Sequence, residues 1–298
     1  MTHKNAASPE LLDNSVTVGH AAVNIYVRPF ASIKDCNDCV ALQREIWGFE
    51  EQDIVPASLL HVVDFVGGVA AGAFDGDGKL LGFVFGITGI HDGETAHWSH
   101  MLGVSESARN LGVGLMLKEY QRSRLAELGV VHIFWTFDPL MAKNAYFNLN
   151  RLGAEVVEYV PDMYGASASR LHLGLPTDRV VVCLSTAGQR SSPRMPSATE
   201  DLPVMTPFPR NGDRTISASD GLSPVALVEI PADILDEVAR APSRAATWRT
   251  AVREHFQWAL QHGYSARGVI RQPATGRSFY VMARNTGLTA PGFSGAPK

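Results

Sequence analysis

A segment near the middle of the chain, residues 102–117, constrains the fold more than any other. An apolar strand ends at Val104, a short polar turn follows, and Arg109-x-x-Gly112-x-Gly114 opens a long amphipathic helix. The first backbone N–H groups of a helix have no partner within it, and the aligned peptide dipoles add positive potential there. Because glycine also lets a ligand approach the backbone closely, this turn suits a phosphate or pyrophosphate group.

This loop resembles the acyl-CoA pyrophosphate loop of the GCN5-related N-acetyltransferases, the GNAT superfamily, whose signature is Arg/Gln-x-x-Gly-x-Gly/Ala. The resemblance implies a co-substrate, acetyl-CoA or another acyl-CoA, whose pantetheine arm pairs with the strand backbone. The residues that it implies for cofactor binding are Leu102, Val104, Arg109, Asn110, Leu111, Gly112, Val113, Gly114 and Asn144. A tight strand-to-helix turn without a ligand is the alternative interpretation.

The order of the predicted elements indicates the fold class. From about residue 24 to 186 it runs β-α-α-β-β-β-α-β-α-β-β, the GNAT layout, an α/β (mixed α+β) fold with a central twisted mixed sheet flanked by helices. We expect a flexible N-terminal tail over residues 1–22, the acyl-CoA-binding domain over 23–186 and a Pro- and Ser-rich linker over 187–223. Residues 224–298 then form a small β-α-β-β unit, which packs on the sheet or on a partner subunit.

Local signals predict a hairpin turn and two helix ends. Asp75-Gly-Asp-Gly78 favours a turn between two strands, Ser32 caps a first helix, and Gly129 ends the helix that starts at Gly112.

Local signals also predict two helices with functional consequences. Asp138 at an N-cap and Pro139 after it predict a helix that runs to Arg151. A C-terminal helix that starts at Ser243 places four apolar residues on one face, namely Trp248, Val252, Phe256 and Ala259.

The strand before the loop supplies the candidate base. Strict alternation places Trp98, His100 and Leu102 on one face and His97 and Ser99 on the other, which excludes the two histidines as a metal pair. His100 resembles a strand position that carries a catalytic histidine in some amine-acetylating GNAT enzymes. Imidazole titrates near neutrality and takes a proton directly or through water.

Two other assignments stay open at this strand. His100 is alternatively a hydrogen-bonded histidine that supports the sheet, and Glu94 in the preceding loop is a second candidate base.

The proton donor for the leaving thiolate is where the sequence departs from the family. Many GNAT enzymes carry Asn-x-x-Ala-x-x-Leu-Tyr-x-x-x-Gly-Phe on a later helix, with the tyrosine near the CoA sulfur. Aligned on Ala145 and Gly153, that tyrosine is replaced by Leu149, which cannot donate a proton. The candidates that remain are Asn148 or Tyr146 on the same helix, Tyr164 beyond the next strand, and a water molecule. Of the residues we take Asn148 and Tyr164 as catalytic candidates.

The function implied by the resemblance is acyl transfer. An acyl group, in the first instance acetyl, moves from acyl-CoA to the amine of a small-molecule acceptor by direct attack on the thioester. The alternative is a non-catalytic acyl-CoA-binding or scaffolding protein with the same fold, and a weaker option is transfer to a hydroxyl group.

Charge and cysteine content limit the partners and cofactors that the chain can have. With 26 basic and 30 acidic residues the chain is mildly acidic, which argues against nucleic-acid and membrane-surface partners. Three cysteines, Cys36, Cys39 and Cys183, do not form a disulfide framework or a zinc site, so we expect no metal. Without a signal peptide or a spanning segment, a cytoplasmic location is expected, and a homodimer is left open.

Five arginines of the C-terminal unit allow two interpretations. They either recognise a carboxylate on the acceptor or acyl group, such as succinyl, or pair on the surface with Glu229, Asp233 and Glu254. These arginines are Arg249, Arg253, Arg267, Arg271 and Arg277.

Overall fold

The computed structural model describes residues 12–18, 21–48, 54–165, 174–187, 199, 201–216 and 223–284. The chain divides into two compact units, residues 1–133 and 134–298. The sequence instead suggested boundaries after residues 186 and 223. Part of the predicted linker lies outside the described residues, so those boundaries stay a prediction.

The first unit contains five antiparallel strands that pair in chain order. They are β1 (Leu12–Val18), β2 (Ala21–Pro29), β3 (Val69–Phe74), β4 (Leu80–His91) and β5 (Glu94–Val104). Strand β1 lies within the predicted tail of residues 1–22. Its β-branched residues Val16, Thr17 and Val18 favour a strand, and the polar residues before them conceal this in the sequence.

Three helices accompany this sheet: α1 (Ile33–Trp47), α2 (Ala57–Val62) and α3 (Val113–Glu127). Helix α1 has the predicted cap, because the Ser32 hydroxyl accepts a hydrogen bond from the Asp35 N–H at 3.2 Å. Helix α3 ends before Gly129 as predicted. The core on the α1 side holds buried apolar residues of α1, α2, β3 and β4, among them Cys36, Cys39, Leu60, Phe74, Phe83 and Phe85.

The second unit begins inside strand β6 (His132–Phe137) and holds two sheets. In one, β7 (Glu155–Val160) pairs antiparallel with β8 (Arg179–Ser185), and β8 also neighbours β6. The other has the order β11-β12-β10-β9, from β9 (Val204–Met205), β10 (Val225–Ile230), β11 (Tyr264–Arg271) and β12 (Ser278–Arg284). The predicted α/β class is therefore confirmed, and the C-terminal sheet is larger than the predicted β-α-β-β unit.

The helix predicted from Pro139 begins later than expected. Asp138 accepts a hydrogen bond from the Leu140 N–H at 2.8 Å and closes a separate turn, so that α4 covers only Ala142–Ala145. The continuation, Tyr146–Arg151, is π-helical. This wider turn presents the Asn150 amide to strand β11, where it bonds the N–H and C=O of Val269 at 2.8 and 3.1 Å.

The C-terminal helix and hairpin match the sequence closely. Helix α6 (Pro242–Gln261) follows a short helix that was not predicted, α5 (Ile234–Arg240). All four residues of the predicted apolar face of α6 are buried, namely Trp248, Val252, Phe256 and Ala259. The predicted helix face is therefore confirmed.

Internal carboxylates neutralise three of the five arginines. Arg249 donates to Asp138 at 2.6 Å, and Arg253 binds Asp178 through two hydrogen bonds. Arg277 donates to Glu229 and Asp213, each through two nitrogen–oxygen contacts between 2.6 and 2.9 Å. Of the predicted surface partners only Glu229 binds one of these three arginines, and its pair is buried. These arginines have structural partners in the second unit.

Replacing Arg277 with methionine is expected to destabilise the second unit by about 3 kcal/mol. Glu229 and Asp213 lose their cation while their side chains stay 7% and 11% exposed. The Arg277 guanidinium also holds the pKa of Asp213 below its ordinary value, an effect that the substitution removes. Urea unfolding at neutral pH measures the change.

The matched control is Arg240→Met, since Arg240 pairs with Asp236 on the exposed side of α5. That variant is expected to unfold like the wild type. Equal unfolding midpoints for Arg277→Met and the wild type would contradict the prediction.

Candidate functional site

The loop between β5 and α3 has the geometry of an anion site. Gly112, at the N-cap of α3, has φ +81° and no side chain, so that it leaves the helix start uncapped. The first helical hydrogen bonds run from Leu115 and Met116 to the Gly112 carbonyl at 3.0 and 3.1 Å. The N–H groups of Val113 and Gly114 therefore precede the hydrogen-bonded part of the helix.

Buried residues at both ends hold this loop in place. Ala108 and Val113 are 2% and 1% exposed, and the Ser105 N–H donates to the Leu81 carbonyl at 2.8 Å. Arg109 and Asn110 are exposed. The Arg109 guanidinium lies 3.9 Å from the Glu106 carboxylate, and both side chains are solvated. A Cβ at Gly112 would meet no atom within 4 Å, so the space at the helix start is open.

A β-bulge interrupts strand β5 at His100. Gly86 of β4 pairs with Ser99, whereas the preceding residue Phe85 pairs with Met101, which leaves His100 without a partner in the register. The extra residue changes the alternation of side chains along β5.

The bulge corrects the predicted face of Leu102. Residues directly opposite in an antiparallel pair point to the same side. A Cβ at Gly82, which pairs with Val104, would meet Val113 and Leu117 of α3. Alternation along β4 therefore places Gly82, Val84 and Gly86 on the α3 side, together with their partners Val104, Leu102 and Ser99. Alternation alone predicted that Leu102 shares a face with His100. In the structure Leu102 instead lies on the face of Ser99 and His97.

His100 lies on the opposite face of the sheet, towards α1. Its ring is exposed and meets the ring of Phe85 edge to face at 6.1 Å between centroids. Partial desolvation lowers the pKa of His100 below its ordinary value. The imidazole is therefore neutral at physiological pH, the form in which it accepts a proton.

A chain of buried polar side chains lies beneath the bulge, between β5 and α3. Lys118 Nζ donates to Ser99 Oγ at 2.7 Å and to Gln121 Oε1 at 3.2 Å. Gln121 Nε2 lies 3.0 Å from His97 Nε2, and His97 Nδ1 lies 2.9 Å from Thr88 Oγ1. We call these five residues, Thr88, Ser99, Gln121, His97 and Lys118, the α3 network.

The hydrogen bonds assign the proton positions in the α3 network. Thr88 donates its hydroxyl proton to the Gly67 carbonyl at 2.6 Å, so it accepts from His97 Nδ1–H. His97 Nε2 then accepts from the Gln121 amide, and the Gln121 carbonyl accepts from Ser99 at 2.9 Å. Each member thus has a defined donor and acceptor role.

Burial shifts both titratable members of this network. Burial lowers the pKa of His97 to about 3, with a further contribution from the charge of Lys118. Desolvation lowers the pKa of Lys118 to about 7, because its ammonium group is removed from water. Neither Lys118 nor Gln121 was predicted from the sequence as a site residue. The available signal was the spacing of Gln121 four residues from both Leu117 and Leu125, on the apolar face of α3.

The remaining predicted site residues belong to the second unit. Asn148 is buried and its side-chain oxygen accepts from the Trp135 indole N–H at 3.0 Å, while Leu149 is 1% exposed. Asn144 is exposed on α4. Tyr164 is 49% exposed, with its hydroxyl 3.2 Å from the Thr136 hydroxyl. The catalytic assignments of Asn148 and Tyr164 stay predictions.

Two further features are absent from the described part of the chain. No group of three or more potential metal ligands of the types His, Cys, Asp and Glu occurs there. Its helices include none that is long and apolar enough to cross a membrane.

The chain resembles several solved acetyltransferase structures. An aminoglycoside 6'-acetyltransferase type Ii is 22% identical over 55% of this chain and 98% of its own, with a TM-score of 0.43. A GNAT family N-acetyltransferase from Escherichia coli in complex with CoA is 20% identical over 57% of this chain and 86% of its own, with a TM-score of 0.40.

A third similar structure is the ribosomal-protein-S18-alanine N-acetyltransferase from Escherichia coli, 13% identical over 55% of this chain and 96% of its own, with a TM-score of 0.43. No family model and no curated protein matches the sequence. At these identities and TM-scores the similarities assign neither a family nor a residue role.

Replacing Lys118 with methionine is expected to stabilise the first unit and to remove a pH dependence. The unfolded chain holds the lysine proton up to its ordinary pKa of 10.5, whereas the folded chain releases it near 7. Between these values the unfolded state binds more protons, so the free energy of unfolding of the wild type rises with pH, by a few kcal/mol in total. Below pH 7 both states are protonated and this dependence vanishes.

Urea unfolding of wild type and Lys118→Met at pH 6, 8 and 9.5, roughly spanning this window, measures the effect. Lys79→Met is the control, since Lys79 is exposed on the turn between β3 and β4. If the free energy of unfolding of Lys118→Met rises with pH as steeply as that of the wild type, the pH dependence belongs to other groups.

Proposed function

We propose that this protein is a GNAT-type N-acyltransferase, which moves an acyl group from acetyl-CoA or another acyl-CoA to the amine of a small-molecule acceptor. The observation that carries the proposal is the uncapped start of α3 behind Gly112, directly after a bulged strand. The N–H groups of Val113 and Gly114 are suited to hold the pyrophosphate, with Arg109 as the nearby cation. Leu102 and Val104 lead from this loop along β5 to the bulge.

The bulge carries two kinds of group with different tasks, the His100 side chain and the backbone N–H groups around it. On the α1 side, neutral His100 is the candidate base that takes the proton of the attacking amine. The backbone around the bulge carries N–H groups at a place where the regular ladder is interrupted, which favours binding of the oxyanion that forms during attack. These features together support direct attack on the thioester.

One observation favours the second candidate function, an acyl-CoA-binding protein without turnover. Leu149 occupies the position of the family's tyrosine and is buried at 1% exposure, so it supplies no proton. Turnover measurements separate the two functions, because both bind acyl-CoA and only the enzyme releases the free thiol.

The loop is tested by isothermal titration calorimetry with CoA, acetyl-CoA and succinyl-CoA. Gly112→Asp is expected to reduce the affinity at least tenfold, because a carboxylate at the helix start repels the pyrophosphate and competes for its N–H donors. The thioester that binds most tightly identifies the acyl group.

Two matched variants separate charge from backbone strain. Gly112→Asn has nearly the same size and the same positive φ as the aspartate variant, and it is expected to bind more tightly than Gly112→Asp. Gly129→Asp introduces the same residue at φ +75° beyond the end of α3, and it is expected to bind like the wild type. Wild-type protein that binds none of the three compounds would overturn the proposed function.

His100 is tested by its separate effect on turnover and binding. His100→Ala is expected to lower the rate of CoA release by about 10²-fold while the Kd for acetyl-CoA stays within twofold. Glu94→Ala is the comparison variant, since Glu94 is the second candidate base at the start of β5. Unchanged turnover in His100→Ala, with turnover lost in Glu94→Ala, would transfer the role to Glu94.

A further inference from the structure

The proposed acyl transfer leaves two features of the first unit unexplained. The tyrosine that protonates the leaving thiolate in many members of the family is absent, because leucine stands at its position. In addition, α3 carries a lysine that is only 4% exposed and lies 2.7 Å from a buried serine hydroxyl of β5. A lysine buried in this way is unfavourable for stability.

We propose that Ser99 donates the proton that the leaving CoA thiolate takes, and that Lys118 restores this proton to Ser99. This proposal rests on the proposed acyl transfer and deepens it. Ser99 is the group that meets the sulfur, and Lys118 is the positioning residue that supplies protons from behind it.

The proton balance is complete within the named groups. As the acceptor amine attacks the thioester carbonyl, a carbon–nitrogen bond forms and His100 takes the amine proton. The carbon–sulfur bond then breaks, and the thiolate takes the hydroxyl proton that Ser99 otherwise donates to the Gln121 carbonyl. The Lys118 ammonium returns a proton to Ser99 Oγ. Lys118 ends neutral and His100 ends protonated, and exchange with solvent resets both.

The register of β5 places Ser99 where this step requires it. Leu102, Val104 and Ser99 share the α3 face, which also carries the loop start at Val113. From Val104 to Ser99 the strand extends for roughly 17 Å. Ser99 and His100 are consecutive residues on opposite faces at the bulge, so that an acid and a base flank the same stretch of backbone.

The surroundings of Lys118 favour proton transfer in both directions. Burial brings its pKa to about 7, so that the group gains and loses a proton near neutral pH. The titratable group that faces it from β5 is His97, through Gln121, and His97 stays neutral because its own pKa is about 3. On α3 itself, Glu119 and Arg122 flank Lys118 and pair with each other at 3.3 Å.

The experiment measures kcat for CoA release from acetyl-CoA against pH, with hydroxylamine as a small acceptor that is uncharged above mildly acidic pH. The wild type is expected to give a bell-shaped profile whose alkaline limb, near pH 7, reports loss of the Lys118 proton. Lys118→Met and Ser99→Ala are expected to lower kcat about 10²-fold and to remove that limb, with acetyl-CoA affinity unchanged.

Thr88→Val is the control for a purely structural role. It breaks the α3 network at its far end, at the His97 contact, and leaves the Ser99–Lys118 hydrogen bond intact. This variant is expected to keep the alkaline limb. If the limb persists in Lys118→Met, or if Thr88→Val loses it to the same degree, the proposal is overturned.

A second measurement does not depend on turnover. In wild-type protein labelled with 13C-lysine, the Cε signal that is missing from Lys118→Met is titrated by NMR. A midpoint near 7 supports the proposal, and a midpoint near the ordinary 10.5 overturns it. Calorimetry distinguishes failure of the proposed function from failure of the proton role. If the wild type does not bind acetyl-CoA, the proposed function itself is refuted. Binding with turnover but without the lysine-dependent limb refutes only the proton role.

Discussion

The extra residue in strand β5 is the constraint on which the first unit depends. Between the Gly86–Ser99 and Phe85–Met101 pairs, β5 has one residue more than β4, and this residue is His100. Without it, His97 and Ser99 would be out of phase with Leu102 and Val104, and the strand could not place all four towards α3. The bulge thus aligns the polar and apolar parts of one face beneath a single helix.

The α3 network fills this face with polar groups at a cost to stability. Each of its five members is satisfied by defined hydrogen bonds, which is what keeps a buried amide, imidazole and ammonium compatible with the core. Leucine or methionine at position 118 would pack without the desolvation penalty. The retention of a lysine there is consistent with a chemical role, and it would also couple the stability of the unit to pH.

The second unit also places charged groups in its interior, as ion pairs between carboxylates and arginines. Asp138, Asp178 and Glu229 each receive a guanidinium group, and these pairs connect the turn before α4, the start of β8 and strand β10 to helix α6 and the β11–β12 hairpin. Arginine suits these positions because its planar group binds a carboxylate through two nitrogens. Three of the arginines that the sequence offered as a ligand site, Arg249, Arg253 and Arg277, are therefore accounted for by the fold.

The sequence by itself determined the elements that local rules govern. The strand–loop–helix segment around Gly112, the cap at Ser32, the turn at Asp75 and the buried face of α6 all follow from periodicity, capping and positive φ, which involve neighbours in the chain. The α/β class follows from the order of these elements, and His100 was selected by its distance from Val104.

Only the tertiary structure decided how distant segments meet. The bulge depends on the register between β4 and β5, so alternation misplaced Leu102. The carboxylate of Asp138, in the turn before α4, binds an arginine more than a hundred residues away. Lys118 and Ser99 lie nineteen positions apart. Their hydrogen bond and the lowered pKa of Lys118 arise from burial between a strand and a helix, which no local pattern encodes.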